Sequence, residues 1–253
     1  MSGLPLEGRV ALVTGGSRGL GREMVQAFAR AGADVVITSR KQEACQKLAE
    51  AVTAETGRRA LAYGCHVGHW DELDGLVEAT YERFGRLDVL VNNAGMSPLF
   101  GGLDEVSEEL FDKVIGVNLK GPFRLTALAG MRMKAAGSGV VINVSSVSAV
   151  RPVPAELPYS AAKAGLQSLT SGFAQSLGPE VRVNTLMAGP FLTDISKAWD
   201  MESFAAAARR YPLQRAGNPG EVVGAALFLA TDASSFVSGA LLSVDGGMSV
   251  ARP

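Results

Sequence analysis

Tyr159 and Lys163 stand four residues apart in the stretch PYSAAKAGLQSL, so on a helix both side chains face the same way. A free tyrosine titrates near ~10 and is a poor acid or base at neutral pH. An ammonium one turn away favours the phenolate and is expected to lower that value. The phenol could then give a proton to a carbonyl oxygen, or take one from an alcohol, near pH 7. Upstream, the apolar run VVINV ends in two serines, Ser145 and Ser146, the second thirteen residues before Tyr159. A hydroxyl at the carboxyl end of a strand sits where open α/β sheets bind ligands. It can hold a substrate oxygen and stabilise charge developing there. Spacing alone leaves both serines in play.

A second group of residues suits a phosphate-bearing ligand. Thr14-Gly15-Gly16-Ser17-Arg18-Gly19-Leu20-Gly21 lies between an apolar run and a helical pattern. Its glycines allow a tight turn and a close approach by a pyrophosphate. The phosphates would meet free N–H groups and the positive end of the helix dipole. A glycine turn without a ligand is the plain alternative, and a lone glycine pattern would not exclude it. Position matters more, because this turn is the first strand-to-helix junction of a βαβ series.

The elements that must position these groups alternate along the chain. Strands are expected at Val10–Thr14, Asp34–Thr38, Arg59–Tyr63, Asp88–Asn92, Val140–Ser145, Val181–Leu186 and Ala240–Val244. Helices are expected at Gly19–Ala31, Gln42–Glu55, Asp71–Phe84, about Ser107–Ala136, Pro158–Leu177 and Pro219–Leu229. Strands such as VALVT, DVVIT and VVINV are apolar throughout, as parallel strands covered on both faces are. The fold class that follows is α/β, a doubly wound and mainly parallel seven-stranded sheet with helices on both faces. No linker or repeat divides residues 1–253, so one domain is expected. One irregular insertion, 188–218, carries its own helical piece, DMESFAAAARR, and reads as a substrate lid.

These motifs together resemble the short-chain dehydrogenase/reductase family, in particular its 3-oxoacyl-reductase-like members. The resemblance rests on TGxxxGxG at Thr14–Gly21, Asn92-Asn93-Ala94-Gly95, Asn118 in VNLKGPF, Ser146, and Tyr159-Ser160-Ala161-Ala162-Lys163, in order along nearly the whole chain. It implies a single-domain Rossmann fold and hydride transfer between a nicotinamide cofactor and a carbonyl or secondary alcohol. It implies Ser146 rather than Ser145 as the orienting hydroxyl, Tyr159 as acid/base, and Lys163 both beside the phenol and on the nicotinamide ribose. Asn118 matches a residue that supports a water-linked proton relay to the lysine. Gly15, Ser17, Arg18, Gly19, Leu20 and Gly21, with Asn93, Ala94 and Gly95, match cofactor-binding positions. Ser39 falls where relatives that use NAD carry an acid. Without that carboxylate nothing repels a 2′-phosphate, and Arg40 can hold one through paired, charge-assisted bonds. Arg18 is a second phosphate contact, so the expected cofactor is NADP (NADPH). Arg40 and Lys41 could instead merely open a solvated helix. Two departures from the family pattern stand out. His66 replaces an aspartate that binds adenine, with Val67 packing beside it. Ala188-Gly189 replaces Pro-Gly, displacing the proline to Pro190. Phe191 is expected by the nicotinamide amide and Thr193 by a phosphate.

The substrate class stays open between a 3-oxoacyl thioester and a sugar acid or polyol. A non-catalytic NADP-binding regulatory protein is the contrasting possibility, which the intact Ser146, Tyr159 and Lys163 disfavour. With 47% hydrophobic and 19% charged residues and a net charge of −1, the chain can fill a two-faced core and has no charge suited to nucleic acid or an anionic membrane. Cys65, His66 and His69 are close in sequence but fit no closed zinc pattern and lack a fourth ligand, so no metal is expected. A cytoplasmic protein without a signal or membrane segment is expected. The VDGGM segment resembles that of homotetrameric relatives.

Overall fold

Five-residue Val10–Thr14 (β1), VALVT, is buried along its whole length, because its neighbours and two helical layers cover both its faces. A computed structural model of the chain describes residues 3–194, 196 and 200–251. Six further strands complete a parallel sheet in which β1 pairs directly with two neighbours: Asp34–Ser39 (β2), Ala60–Gly64 (β3), Val89–Asn92 (β4), Gly139–Ser146 (β5), Val181–Ala188 (β6) and Leu241–Val244 (β7). Their order across the sheet is β3-β2-β1-β4-β5-β6-β7. The chain reverses its winding between β1 and β4, and a crevice opens there beyond the strands' carboxyl ends.

Helices cover the two faces. Gly19–Arg30 (α1), Gln42–Thr56 (α2) and Val223–Ala230 (α8) pack Met24, Val25, Phe28, Leu48, Val52 and Leu229 against one face. Glu72–Phe84 (α3) and Gly121–Ala135 (α5) pack Leu73, Leu76, Val77, Leu125 and Met133 against the other. Leu157–Leu177 (α6) adds Leu177 there. Each fully buried side chain of this size contributes about 1.5–3 kcal/mol of transfer free energy. The ends of α2 and α3 are set by Gly57 and Gly85, both at positive φ. Beneath the active edge runs a buried polar chain. Asn92 donates to Thr126 and Asn143, Asn143 donates to Thr170, and Thr185 bonds Thr170, all at 2.8–2.9 Å. It fixes β4, β5 and β6 to α5 and α6 with its members mutually satisfied.

The expected helix over 107–136 is not uniform. Glu108–Ile115 (α4), begun by Ser107 accepting from the Leu110 N–H, passes into a π-helical turn at Gly116–Lys120 before α5. A single extra residue in the turn leaves the apolar periodicity nearly intact, which is why the sequence pattern ran through it. The helix expected from Pro219 opens as a 3-10 turn, Pro219–Val222, before α8, and other boundaries move by one or two residues. β3 begins at Ala60, and β6 continues to Ala188 because its last residues pair with β5 and β7. Within the 188–218 insertion, Met201–Ala208 (α7) is capped by Asp200, which accepts from the Glu202 and Ser203 N–H groups. Residues 195 and 197–199 of that insertion lie outside the described residues.

Candidate active site

The first turn of α6 lies against the end of β5 and brings Tyr159 and Lys163 to Ser146. Lys163 is buried, and its Nζ donates to the Val144 carbonyl at 2.8 Å. The same Nζ lies 5.7 Å from the centroid of the Tyr159 ring. Ser146 accepts the Ser148 N–H at 3.1 Å, and its hydroxyl is close enough to the Tyr159 phenol to favour the ionised form. Ser145 faces elsewhere: its hydroxyl donates to the Lys163 carbonyl and accepts from Gln167. The two serines left open by spacing are thus distinguished. Ser146 ends the strand at the tyrosine, and Ser145 supports the helix behind it.

The electrostatics correct one expectation. Lys163 does not depress the phenol. Burial pushes Tyr159 up to about 12, the Ser146 hydrogen bond only partly offsets this, and the Glu156 carboxylate adds to the rise. Burial also pulls Lys163 down to about 8. Both groups lose solvation, and the lysine's charge is directed at a carbonyl dipole and the ring face. In the chain by itself the phenol therefore stays protonated at neutral pH, a state suited to donating a proton.

Asn118 sits on the π-turn. Its Nδ2 donates to Val114 O and Met96 O, both at 2.9 Å, and its Oδ1 accepts the Met96 N–H at 3.2 Å. In a regular helix the Val114 carbonyl would take the backbone N–H of residue 118; here the side chain of Asn118 supplies a donor. Gly95 lies between this amide and the lysine. A Cβ on Gly95 would stand 3.1 Å from Asn118 Oδ1 and 3.6 Å from Lys163 Nζ. Asn118 is near the lysine, as expected, yet its direct bonds hold the Met96 backbone.

On the other side of the crevice, the turn from β1 into α1 forms a cradle. Gly15 and Gly19 adopt φ of +62° and +52°, a region costly for other residues. At Gly21 a Cβ would fall 2.3 Å from the Gly15 carbonyl, so no side chain fits. Thr14, not among the expected site residues, is the clasp of this turn. Its Oγ1 accepts the N–H groups of Asn93 and Ala94 at 3.0 Å, while Asn93 Nδ2 donates to Thr14 O at 2.8 Å. The turn leads into α1 with no acidic residue in its first turn and no side-chain cap from Arg18. Leu20 packs its side chain on the core, leaving its backbone to the cradle.

Ser17 and Ser39 bond each other at 2.9 Å, joining the glycine turn to the end of β2. Arg18 and Arg40 are exposed at this corner, and neither has an ion-pair partner among the described residues. Arg40 is near enough to His66 to help lower its pKa, after burial and His69. His66 Nδ1 accepts the Gly68 N–H, its ring stacks on His69 at 4.2 Å, and its own N–H donates to Glu72. Val67 is buried beside it. The loop after β6 crosses back over the cradle. Gly189 donates to Val244 O, with Asp245 filling the space a side chain would need. Phe191 is buried against Gly217, and Thr193 Cγ2 comes within 3.5 Å of the Cβ position at Gly19. Thr193 thus stands beside the glycine turn. The Phe191 ring points to the core, so only its backbone can serve the crevice.

The glycine cradle at the start of α1 fits a dinucleotide. A narrow crevice next to the tyrosine is lined by Pro98, Phe100, Leu110, Val114, Glu156, Pro158 and Tyr159. Glu156 went unnoticed in the sequence because it lies in the 3-10 turn Pro154–Glu156, ahead of the helical periodicity.

The chain is similar to known proteins along nearly its whole length. A family model described as enoyl-(acyl carrier protein) reductase matches residues 15–249. The chain is 40% identical over 250 residues to an L-rhamnose 1-dehydrogenase (NAD(P)(+)) of Azotobacter vinelandii, covering 96% of this chain and 97% of that protein. It is 36% identical over 244 residues to a 3-oxoacyl-[acyl-carrier-protein] reductase of Thermotoga maritima, covering 96% and 98%. A crystal structure from Beutenbergia cavernae, of a protein described as an NAD(P)-dependent gluconate 5-dehydrogenase with NADP bound at low occupancy, superposes with a TM-score of 0.91 at 34% identity, covering 96% and 98%.

Proposed function

The chain belongs to the short-chain dehydrogenase/reductase family, and we propose that it is an NADP(H)-dependent oxidoreductase acting on a carbonyl or secondary alcohol. The observation that carries this reading is buried Lys163 beneath the Tyr159 ring, with the Ser146 hydroxyl acting on the same phenol, at the carboxyl edge of the sheet and across from the glycine cradle. Bound in that cradle, the nicotinamide cofactor supplies the hydride.

The chain's own residues do the rest. Ser146 holds the substrate oxygen where negative charge develops. Tyr159, a phenol at neutral pH, donates its proton to that oxygen in the reducing direction and accepts one in reverse. Lys163 places a positive charge beneath the phenol and reaches toward the nicotinamide ribose. Asn118, holding Met96 next to the lysine, is the outer member of the proton path. The backbone of Gly15 to Gly21, with Ser17 and Thr193, receives the diphosphate. Arg18, Ser39 and Arg40 receive the 2′-phosphate. His66 and Val67 face the adenine, Asn93 to Gly95 hold the middle of the cofactor, and Gly189 and the Phe191 backbone border the nicotinamide.

The NADP preference rests on two unpaired arginines and no acid at the end of β2. The NADP-bound relative supports it. Among carbonyl substrates, the likeness to a 3-oxoacyl reductase suggests a thioester and the likeness to a rhamnose dehydrogenase a polyhydroxy substrate. Residues 188–218 serve as the lid. The proposed assembly is a homotetramer; exposed bulky apolar residues, Phe236, Leu241 and Val250, and the sheet edge at β7 support association.

The test compares kcat/KM for NADPH and NADH in wild type and Arg40→Ala. Wild type should prefer NADPH, and Arg40→Ala should lose about tenfold or more of that preference, the worth of one charge-assisted contact. A wild-type preference for NADH contradicts the assignment.

A further inference from the structure

We propose that Glu156 is a specificity-determining residue that selects carbonyl substrates bearing a protonated amine near the reacting carbon and rejects those bearing a carboxylate there. This rests on the oxidoreductase reading above and narrows its substrate class. The crevice beside Tyr159 is walled by Pro98, Phe100, Leu110, Val114 and Pro158, with Glu156 as its only charged lining residue. An ionised group set among apolar walls acts more strongly than one in open water.

Its position is fixed from one side only. Ser148 Oγ donates to Glu156 Oε2 at 2.8 Å, while the Ser148 N–H donates to Ser146 Oγ at 3.1 Å. One residue therefore ties the carboxylate to the hydroxyl that orients the substrate oxygen. No lysine, arginine or histidine pairs with Glu156 among the described residues, and its charge is felt at the Tyr159 phenol. A substrate anion here would meet an uncompensated like charge. A ring of sugar hydroxyls would leave donors unpaired against Phe100, Leu110 and Val114. A hydrocarbon frame carrying one ammonium satisfies both the walls and the carboxylate.

The test gives the enzyme NADPH and three matched ketones differing in one substituent near the carbonyl: a tertiary amine, its neutral carbon isostere, and a carboxylate. Wild type is expected to show kcat/KM for the amine at least about tenfold above the carboxylate, with the neutral ketone between them. Glu156→Gln, which retains an acceptor for Ser148, should bring that ratio close to one, as should Glu156→Ala. A ratio of two substrates cancels any general loss of activity in either variant. Absence of the charge preference in wild type, or its survival in both variants, overturns the proposal and leaves the oxidoreductase reading standing. NADPH binding with no turnover of any of the three ketones overturns both.

Discussion

At the scale of single residues, the site depends on how burial sets two ionisations. Tyr159 is pushed up to about 12 and Lys163 down to about 8, so across neutral pH the phenol keeps its proton while the ammonium is close to losing its own. The sign follows directly. Below about pH 8 Lys163 is charged and supports the developing alkoxide; as pH rises through that value the charge is lost while Tyr159 remains a phenol. Carbonyl reduction should therefore have a kcat/KM that is level at neutral pH and falls above about pH 8. A profile flat to pH 10 would contradict this assignment. Tyr159 and Lys163 were legible in the sequence because one helical turn fixes their spacing; Ser146 was separated from Ser145 only by the family resemblance. Glu156 and Thr14 were not legible. The first lies in a turn with no periodicity, and the second acts through backbone groups of a distant strand end that only the folded sheet brings near.

At the scale of elements, the glycine turn and the π-turn set the geometry. Gly21→Ala places a methyl group 2.3 Å from the Gly15 carbonyl, which backbone movement alone can relieve. That variant should keep its circular dichroism spectrum yet weaken NADPH binding by at least about tenfold in a fluorescence titration, as the cradle opens. Unaltered affinity would show that the turn does not hold the diphosphate. Strand and helix identities were readable from apolar runs and 3.6-residue patterns. The π-turn at Gly116–Lys120 was hidden, since one extra residue in a turn hardly disturbs hydrophobic spacing. Its consequence is chemical: it directs Asn118 onto Met96, where a straight helix would turn that amide away.

At the scale of the molecule, alternation of buried strands and amphipathic helices made the doubly wound sheet predictable, because parallel strands covered on both faces have few other arrangements. Association was less legible, since exposed apolar residues carry no periodic mark. Phe236 is fully exposed and Leu241 lies on the edge strand β7. Sedimentation should give a mass near four times 26.3 kDa, and Phe236→Asp should shift the population toward smaller species; a wild-type monomer would exclude the tetramer. The whole account depends on one phenol acting beside a bound nicotinamide, and Tyr159→Phe tests it most directly. NADPH titration and turnover of a ketone accepted by wild type are measured on the same preparation. The expected result is cofactor affinity within about twofold of wild type with turnover reduced about 10²–10⁴-fold, the usual worth of a positioned general acid. Retained turnover at wild-type rates would contradict the assignment of Tyr159 as the proton donor.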